Sequence, residues 1–157
     1  MYRISDETLR LNVFGRSGTV RVKSPTYFVV DPDEVPGFVN YVMRVNGEVM
    51  KCGETNDFST RMRSEFDCLR QVIAKGEPYV GNGDPWQRNA PHILVVTGTV
   101  VEFWTKTYKD ARERHDDETD LNDFYRGLWT REGKPEWKPK TRKRQTISTL
   151  RLERQAV

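Results

Sequence analysis

The sequence predicts an α+β fold: a small antiparallel β-sheet with a three-stranded core, flanked by helices, preceded by short strands and followed by a basic segment. Three observations carry this expectation. Asn46-Gly47 separates two runs of strand character, Phe38 to Val45 and Glu48 to Gly53, and both central positions of such a tight hairpin need positive φ, which Asn-Gly supplies. Phe58, Met62, Phe66, Leu69 and Ile73 then recur at helical spacing,. Along the core the order is strand, strand, helix, strand, helix, as in an α+β domain with an antiparallel sheet.

From the N-terminus, Leu9 to Val13 alternates like a strand, Gly15-Arg16-Ser17-Gly18 turns, and Thr19 to Lys23 alternates again,. Pro25, Pro32 and Pro36 interrupt the next stretch, with Tyr27 to Val30 extended. After the hairpin, Asn56 or Asp57 caps a helix expected to run to about Lys75, and Gly76 ends it,. Glu77 to Pro91 holds Gly81, Gly83, Pro85 and Pro91 and reads as a long surface loop,. His92 to Trp104 reads as a strand region with a bulge or bend at Gly98,. A second helix is expected from about Asp110 to about Trp129. The division that follows is an extension over 1–36, a core over 37–129 and a basic segment over 130–157, the last belonging to the same domain or forming a DNA-contacting arm.

A length of 157 residues fits one domain,. With 31% charged and 36% hydrophobic residues the composition is that of a globular chain with a modest core, and an aromatic share of 11% argues against wholesale disorder,. A net charge of +3 excludes a basic tail-like binder as a description of the whole chain. The distribution says more: from Lys134 to Arg154 only Glu136 and Glu153 oppose eight cations, which suits a polyanion surface or a solvated tail,. Cys52 and Cys68 fit no zinc spacing and make no disulfide framework, so both are expected reduced,. No apolar run approaches a membrane span and no signal-peptide core opens the chain, so a cytoplasmic protein is expected,.

Tyr41, the hairpin, Lys51-Cys52-Gly53-Glu54-Thr55 and Asn56 to Arg61 together resemble the signature of the GIY-YIG nuclease superfamily, across the middle two-thirds of the chain. In that family two short motifs on adjacent strands each present a tyrosine, an arginine follows on the next helix, and a glutamate on a later helix holds a divalent metal. Tyr41 matches the first tyrosine, Gly53 the glycine of the second motif, Thr55 and Asp57 the residues that often follow, and Arg61 the arginine. The departures are Lys51 in place of the second tyrosine, Val39 or Asn40 in place of the first glycine, and Glu65 where His or Tyr is common. Lysine at the second tyrosine position, together with Thr105 to Asp110 ahead of the second helix, resembles the small GIY-YIG Type II restriction endonucleases. The resemblance implies a GIY-YIG-like fold and metal-dependent hydrolysis of phosphodiester bonds in double-stranded DNA.

On that resemblance Tyr41, Lys51, Arg61 and Glu118 are the expected catalytic residues, with Glu118 the metal ligand for Mg2+ or Mn2+. Tyr41 serves as general base or positioner of the attacking water; a tyrosine needs a nearby cation to act as a base, and Lys51 and Arg61 are placed to supply that field. Lys51 contacts a phosphate or the water, and Arg61 offers a fork to a phosphate. On a helical wheel Arg61 lies beside the apolar stripe and is expected to be held against the sheet. Ala111, His115, Leu121, Asn122, Tyr125 and Trp129 share one face of the second helix, with Glu118 in its middle and Glu113, Asp116, Asp120 and Asp123 pointing away. A carboxylate on a core-facing stripe is costly unless it binds a metal or is paired, here with Arg61 or Lys51. One protein carboxylate with several waters suits Mg2+. His115 is expected to be a satisfied core histidine.

Supporting roles fall to Glu65, which orients Arg61 or is a second metal ligand; to Asn122, near metal-bound water; and to Tyr108, near a phosphate or simply a strand-end aromatic. Arg63, Arg70, Arg88, the loop around Trp86 and the tail residues Lys138, Lys140, Arg142, Lys143 and Arg144 are the expected DNA contacts,. The leading expectation is a Type II-like restriction enzyme acting as a homodimer, since two identical sites on a pseudo-palindrome let a small chain cut both strands. The alternatives are a phage or mobile-element nuclease that nicks as a monomer, and a catalytically inactive nucleic-acid-binding module on the same fold.

Overall fold

Five antiparallel strands and four α-helices account for most of residues 2–77, 84–133 and 150–151, the residues that the computed structural model describes. They are α1 (Asp6–Leu11), β1 (Gly15–Ser24), β2 (Tyr27–Pro32), β3 (Pro36–Val45), β4 (Glu48–Asp57), α2 (Phe58–Lys75), α3 (Pro85–Leu94), β5 (Val100–Tyr108) and α4 (Ala111–Tyr125). The strand order is β2-β1-β5-β3-β4. The expected three-stranded core is therefore β5-β3-β4, and β1 pairs with β5, so the N-terminal strands enlarge the same sheet.

Four expectations from local pattern are corrected. Leu9 to Leu11 ends a helix, because the Ser5 hydroxyl accepts from the Thr8 N–H at 3.1 Å and Asp6 and Glu7 fill the first turn,. Gly15 to Gly18 lies inside β1, where a register shift between Arg16 and Thr19 takes up the irregularity,. Pro85 to Leu94 is a helix, with the Asp84 carboxylate capping the Gln87 N–H at 2.8 Å and Pro85 in its first turn,. The apolar run His92 to Val96 thus completes α3 and the turn after it, and β5 starts only at Val100; a short apolar run does not by itself distinguish helix from strand,.

The sheet is covered on both faces. On one, Phe58, Met62, Phe66 and Leu69 of α2 are fully buried against Val39, Met43, Val101 and Phe103, with Trp86, Ala90 and Leu94 of α3 beside them. Each such side chain stabilises the fold by about 1.5–3 kcal/mol. On the other face Leu9 of α1 and Leu121 and Tyr125 of α4 pack on Val42, Cys52 and Trp104. Both cysteines are free thiols, and Cys52 is buried. Among the described residues no helix is long and apolar enough to cross a membrane.

One irregularity positions everything that follows. A plain two-residue hairpin at Asn46-Gly47 would set Lys51 against Val42, on the opposite face from Tyr41. Instead Arg44 pairs with Val49, Met43 with Lys51 and Tyr41 with Gly53, so Met50 is an extra residue in β4. This bulge shifts the register by one and brings Tyr41, Lys51 and Gly53 to the α2 face,.

Candidate active site at the edge of the sheet

β4 is an outer strand of the sheet, and its far half, Gly53 to Asp57, carries polar residues from both faces. From the α2 face comes Tyr41, 3% exposed, whose ring packs on Phe58 and crosses β4 above Gly53. A methyl group at Gly53 would lie 2.5 Å from Tyr41 Cζ, so only glycine lets the ring reach the edge. Burial holds the Tyr41 hydroxyl well above the usual tyrosine range; Glu65 and Glu118 push it further up and Arg61 opposes them,.

Lys51 Nζ lies 3.2 and 3.3 Å from the two Glu65 carboxylate oxygens and 4.6 Å from the centre of the Trp86 ring. Glu65 also faces Arg61, whose Nη1 is 3.8 Å from Oε1. Glu65 therefore joins both cations rather than serving Arg61 alone. Arg61 is not held against the sheet: its side chain is 55% exposed, because it leaves α2 toward a polar hollow instead of the apolar stripe. That hollow, about 500 Å³, is lined by Glu54, Thr55, Asn56, Asp57, Thr60, Arg61, Ser64 and Arg114, so it reaches from α2 across the strand edge to α4.

From the other face α4 contributes Glu118, whose side chain is 19% exposed. Asn122 Nδ2 donates to Glu118 Oε1 at 2.5 Å, a contact one helical turn away that fixes the carboxylate,. His115 is not a core residue. Its side chain is 58% exposed and its Nδ1 lies 3.2 Å from Glu54 Oε1 and 3.9 Å from Glu118 Oε2. Glu54, His115 and Glu118 each bring one ligand atom within 4.8 Å of the others. Glu54 and His115 were not anticipated as site residues. The signals were available: Glu54 shares a strand face with Cys52, and His115 precedes Glu118 by one helical turn.

The acid at the centre of α4's buried face is Asp117, not Glu118. Asp117 is fully buried, accepts from the Tyr108 hydroxyl at 2.5 Å and lies 3.6 Å from Lys106 Nζ. The stripe runs Asp117, Leu121, Tyr125, and Ala111 and Trp129 do not belong to it: Ala111 is exposed and Trp129 lies beyond the helix. Asp116, Asp120 and Asp123, expected to point away, are half-buried. Tyr108, expected near a phosphate or as a strand-end aromatic, is the last residue of β5 and is buried beneath α4; burial and the bond to Asp117 hold its hydroxyl above the usual range.

The expected DNA contacts divide. Arg63 Nη1 donates to the Val30 carbonyl at 3.2 Å, and Arg70 donates to the Phe28 carbonyl at 2.9 Å while pairing with Asp67. Both tie α2 to β2. Arg88 is exposed on α3. Lys138, Lys140, Arg142, Lys143 and Arg144 lie outside the described residues.

A five-stranded antiparallel sheet with helices on both faces, and a polar cluster beside a glycine on its edge strand, defines a small α+β domain. Among solved structures, that of bacteriophage T4 EndoII, determined as a glutamate-to-alanine variant, is similar in fold: the TM-score is 0.54 and the identity 14%, over 79% of this chain and 96% of that one. No protein-family model and no curated protein matches the sequence.

Proposed function

We propose that this protein is a metal-dependent endonuclease that hydrolyses phosphodiester bonds in double-stranded DNA, with Tyr41, Lys51, Arg61 and Glu118 as its catalytic residues. The observation that supports the reading is that Lys51 and Arg61 share Glu65 while the charges of Arg61, Glu65 and Glu118 all act on the Tyr41 hydroxyl, beside a polar hollow at the β4 edge that Arg61 lines. The fold shared with a phage endonuclease supports it.

The donor set fits a divalent cation: Glu118 would hold it with Glu54 and His115, whose ligand atoms lie within 4.8 Å of one another. Once bound, such an ion supplies charge neutralisation on the phosphoryl oxygens and stabilises the leaving oxygen. The chain's own residues do the rest. Arg61, the more exposed of the two cations on Glu65, grips a phosphate in the polar hollow with its planar fork,. Lys51 is fixed between Glu65 and the Trp86 ring as a point charge beside the reacting phosphate,. Tyr41 keeps its proton in the free protein, so its first role is to hold the attacking water by hydrogen bonding; it becomes a base only when bound cations offset Glu65 and Glu118,.

The substrate class is duplex DNA and the enzyme works as a Type II-like, site-specific homodimer in the cytoplasm. A second reading, a phage or mobile-element nuclease that nicks as a monomer, is favoured by the source of the similar structure. Incubation with supercoiled plasmid and Mg2+ or Mn2+ tests both. Discrete linear fragments support the first, nicked circles the second, and binding without cutting makes the protein an inactive module. Glu118→Ala is expected to lower cutting by about 10²–10³-fold while leaving the DNA dissociation constant within about threefold. Unchanged cutting in that variant removes Glu118 from the site.

A further inference from the structure

We infer that the cation site prefers a divalent transition-metal ion such as Mn2+ over Mg2+, and that His115 sets this preference. The inference rests on the edge-strand site proposed above and goes beyond it in naming the ligand class. An all-oxygen site built on one carboxylate and waters suits Mg2+, which demands near-octahedral geometry and gives up its waters reluctantly. The site here differs in two respects. It offers two carboxylates, from Glu54 on β4 and Glu118 on α4, and it offers an imidazole nitrogen, the donor that first-row transition ions bind more strongly than Mg2+ does,.

The spacing agrees with one shared ion. Ligand bonds of about 2.0–2.2 Å place two donors on the same ion about 3 Å apart when adjacent and about 4 Å apart when opposite. His115 Nδ1 is 3.2 Å from Glu54 Oε1 and 3.9 Å from Glu118 Oε2. Glu118 is braced by Asn122, and Glu54 Oε2 lies 3.4 Å from Arg114 Nε, so both carboxylates are anchored on their far side, as outer-shell partners anchor metal ligands. His115 stands over them on an exposed turn of α4, where a ring nitrogen swings onto an ion without disturbing the core.

The test is metal binding by the full chain without DNA. Free Mn2+ is followed by electron paramagnetic resonance, with Mg2+ as competitor. The expected result is binding of Mn2+ at least about tenfold tighter than Mg2+, with electron-spin-echo modulation from a directly bound nitrogen. In His115→Ala the nitrogen signal disappears, Mn2+ affinity falls about tenfold or more, and Mg2+ affinity changes less than about threefold. His115→Gln, which keeps an oxygen donor, behaves the same way toward Mn2+. Glu118→Gln loses both ions. Equal affinity for the two ions in the wild type, or Mn2+ binding untouched by His115→Ala, overturns the inference whether or not the protein cuts DNA. Intact, His115-dependent Mn2+ binding in a protein that leaves DNA uncut contradicts the nuclease reading and leaves this one standing.

Discussion

The two halves of β4 are the same strand put to opposite uses. At the hairpin end the outer edge is closed: the Val49 N–H donates to the Tyr2 carbonyl at 2.8 Å, and Leu128 and Trp129 donate to Val49 and Met50 at 3.4 and 2.8 Å. Covering an edge in this way removes unpaired backbone groups and fixes the strand. At the far end, Gly53 to Asp57, polar side chains from α2 and α4 line the hollow instead. The closed half supplies rigidity and the open half supplies access, and the Met50 bulge marks the change from one to the other. Reactive groups can be held to the tolerances chemistry needs because the strand that carries them is pinned nearby.

Breaking the open half should cost activity. Gly53→Ala drives the Tyr41 ring off the edge and is expected to lower cleavage by folded protein about 10²-fold, the usual scale for a displacement near 1 Å. Single-turnover cleavage checks it, and unaltered rates would mean that Tyr41 does not act from over Gly53. Breaking the closed half should instead cost stability. A methyl group at Gly127 would lie 2.7 Å from the Met50 carbonyl carbon and 2.9 Å from the Lys51 nitrogen, both backbone atoms. Gly127→Ala is expected to destabilise the fold by about 2–3 kcal/mol, seen in urea unfolding, with cleavage per folded molecule within about threefold of wild type.

The smallest effect sharpens the contrast from the interior. Burial raises the Cys52 thiol on the α4 side and the Tyr41 and Tyr108 hydroxyls above their usual values. Groups with raised folded-state values contribute stability that is complete below their unfolded values and is lost as pH rises toward the folded ones. Stability should therefore be flat through neutrality, begin to fall near pH 9 as unfolded Cys52 ionises, and fall faster past about 10 as the tyrosines follow. Each group contributes at most about 1.4 kcal/mol per pH unit. Cys52→Ala should be weaker throughout and show a shallower decline between pH 9 and 10. A wild-type stability flat to pH 11 would contradict this.

Much of this was legible in the sequence, and the failures have physical causes. The Asn46-Gly47 turn and the α2 stripe with its Gly76 terminus were readable because each is a local preference that the tertiary structure leaves intact. The bulge at Met50 was not, since nothing in a strand's own alternation marks where its partner skips a residue. Tyr41 and Lys51 share a face only through that extra residue. On α4 the argument from burial cost chose between neighbouring acids. Asp117 is the one at the centre of the core face, and its charge is met by Lys106 and Tyr108; Glu118 flanks that face, where the strand edge opens. The phase of the helix turned on whether Ala111 and His115 or Leu121 and Tyr125 defined the stripe, and small or polar residues at a helix start are poor markers of a buried face. Glu54 was missed because it meets His115 and Glu118 only through the packing of α4 on β4, and His115, one helical turn from Glu118, because it was read as a core histidine.

The central claim is that one phosphodiester is held over Gly53 between groups from opposite faces of the sheet. The direct measurement is a structure of the protein with Ca2+ and a short duplex taken from a site it cuts in plasmid DNA. The account predicts a backbone phosphate over Gly53, with the Tyr41 hydroxyl within about 3 Å of a phosphate oxygen or its attacking water, Arg61 on a phosphate, and the ion on Glu118. A duplex lying instead on the α2–β2 side near Arg63 and Arg70, with the β4 edge untouched, would contradict it.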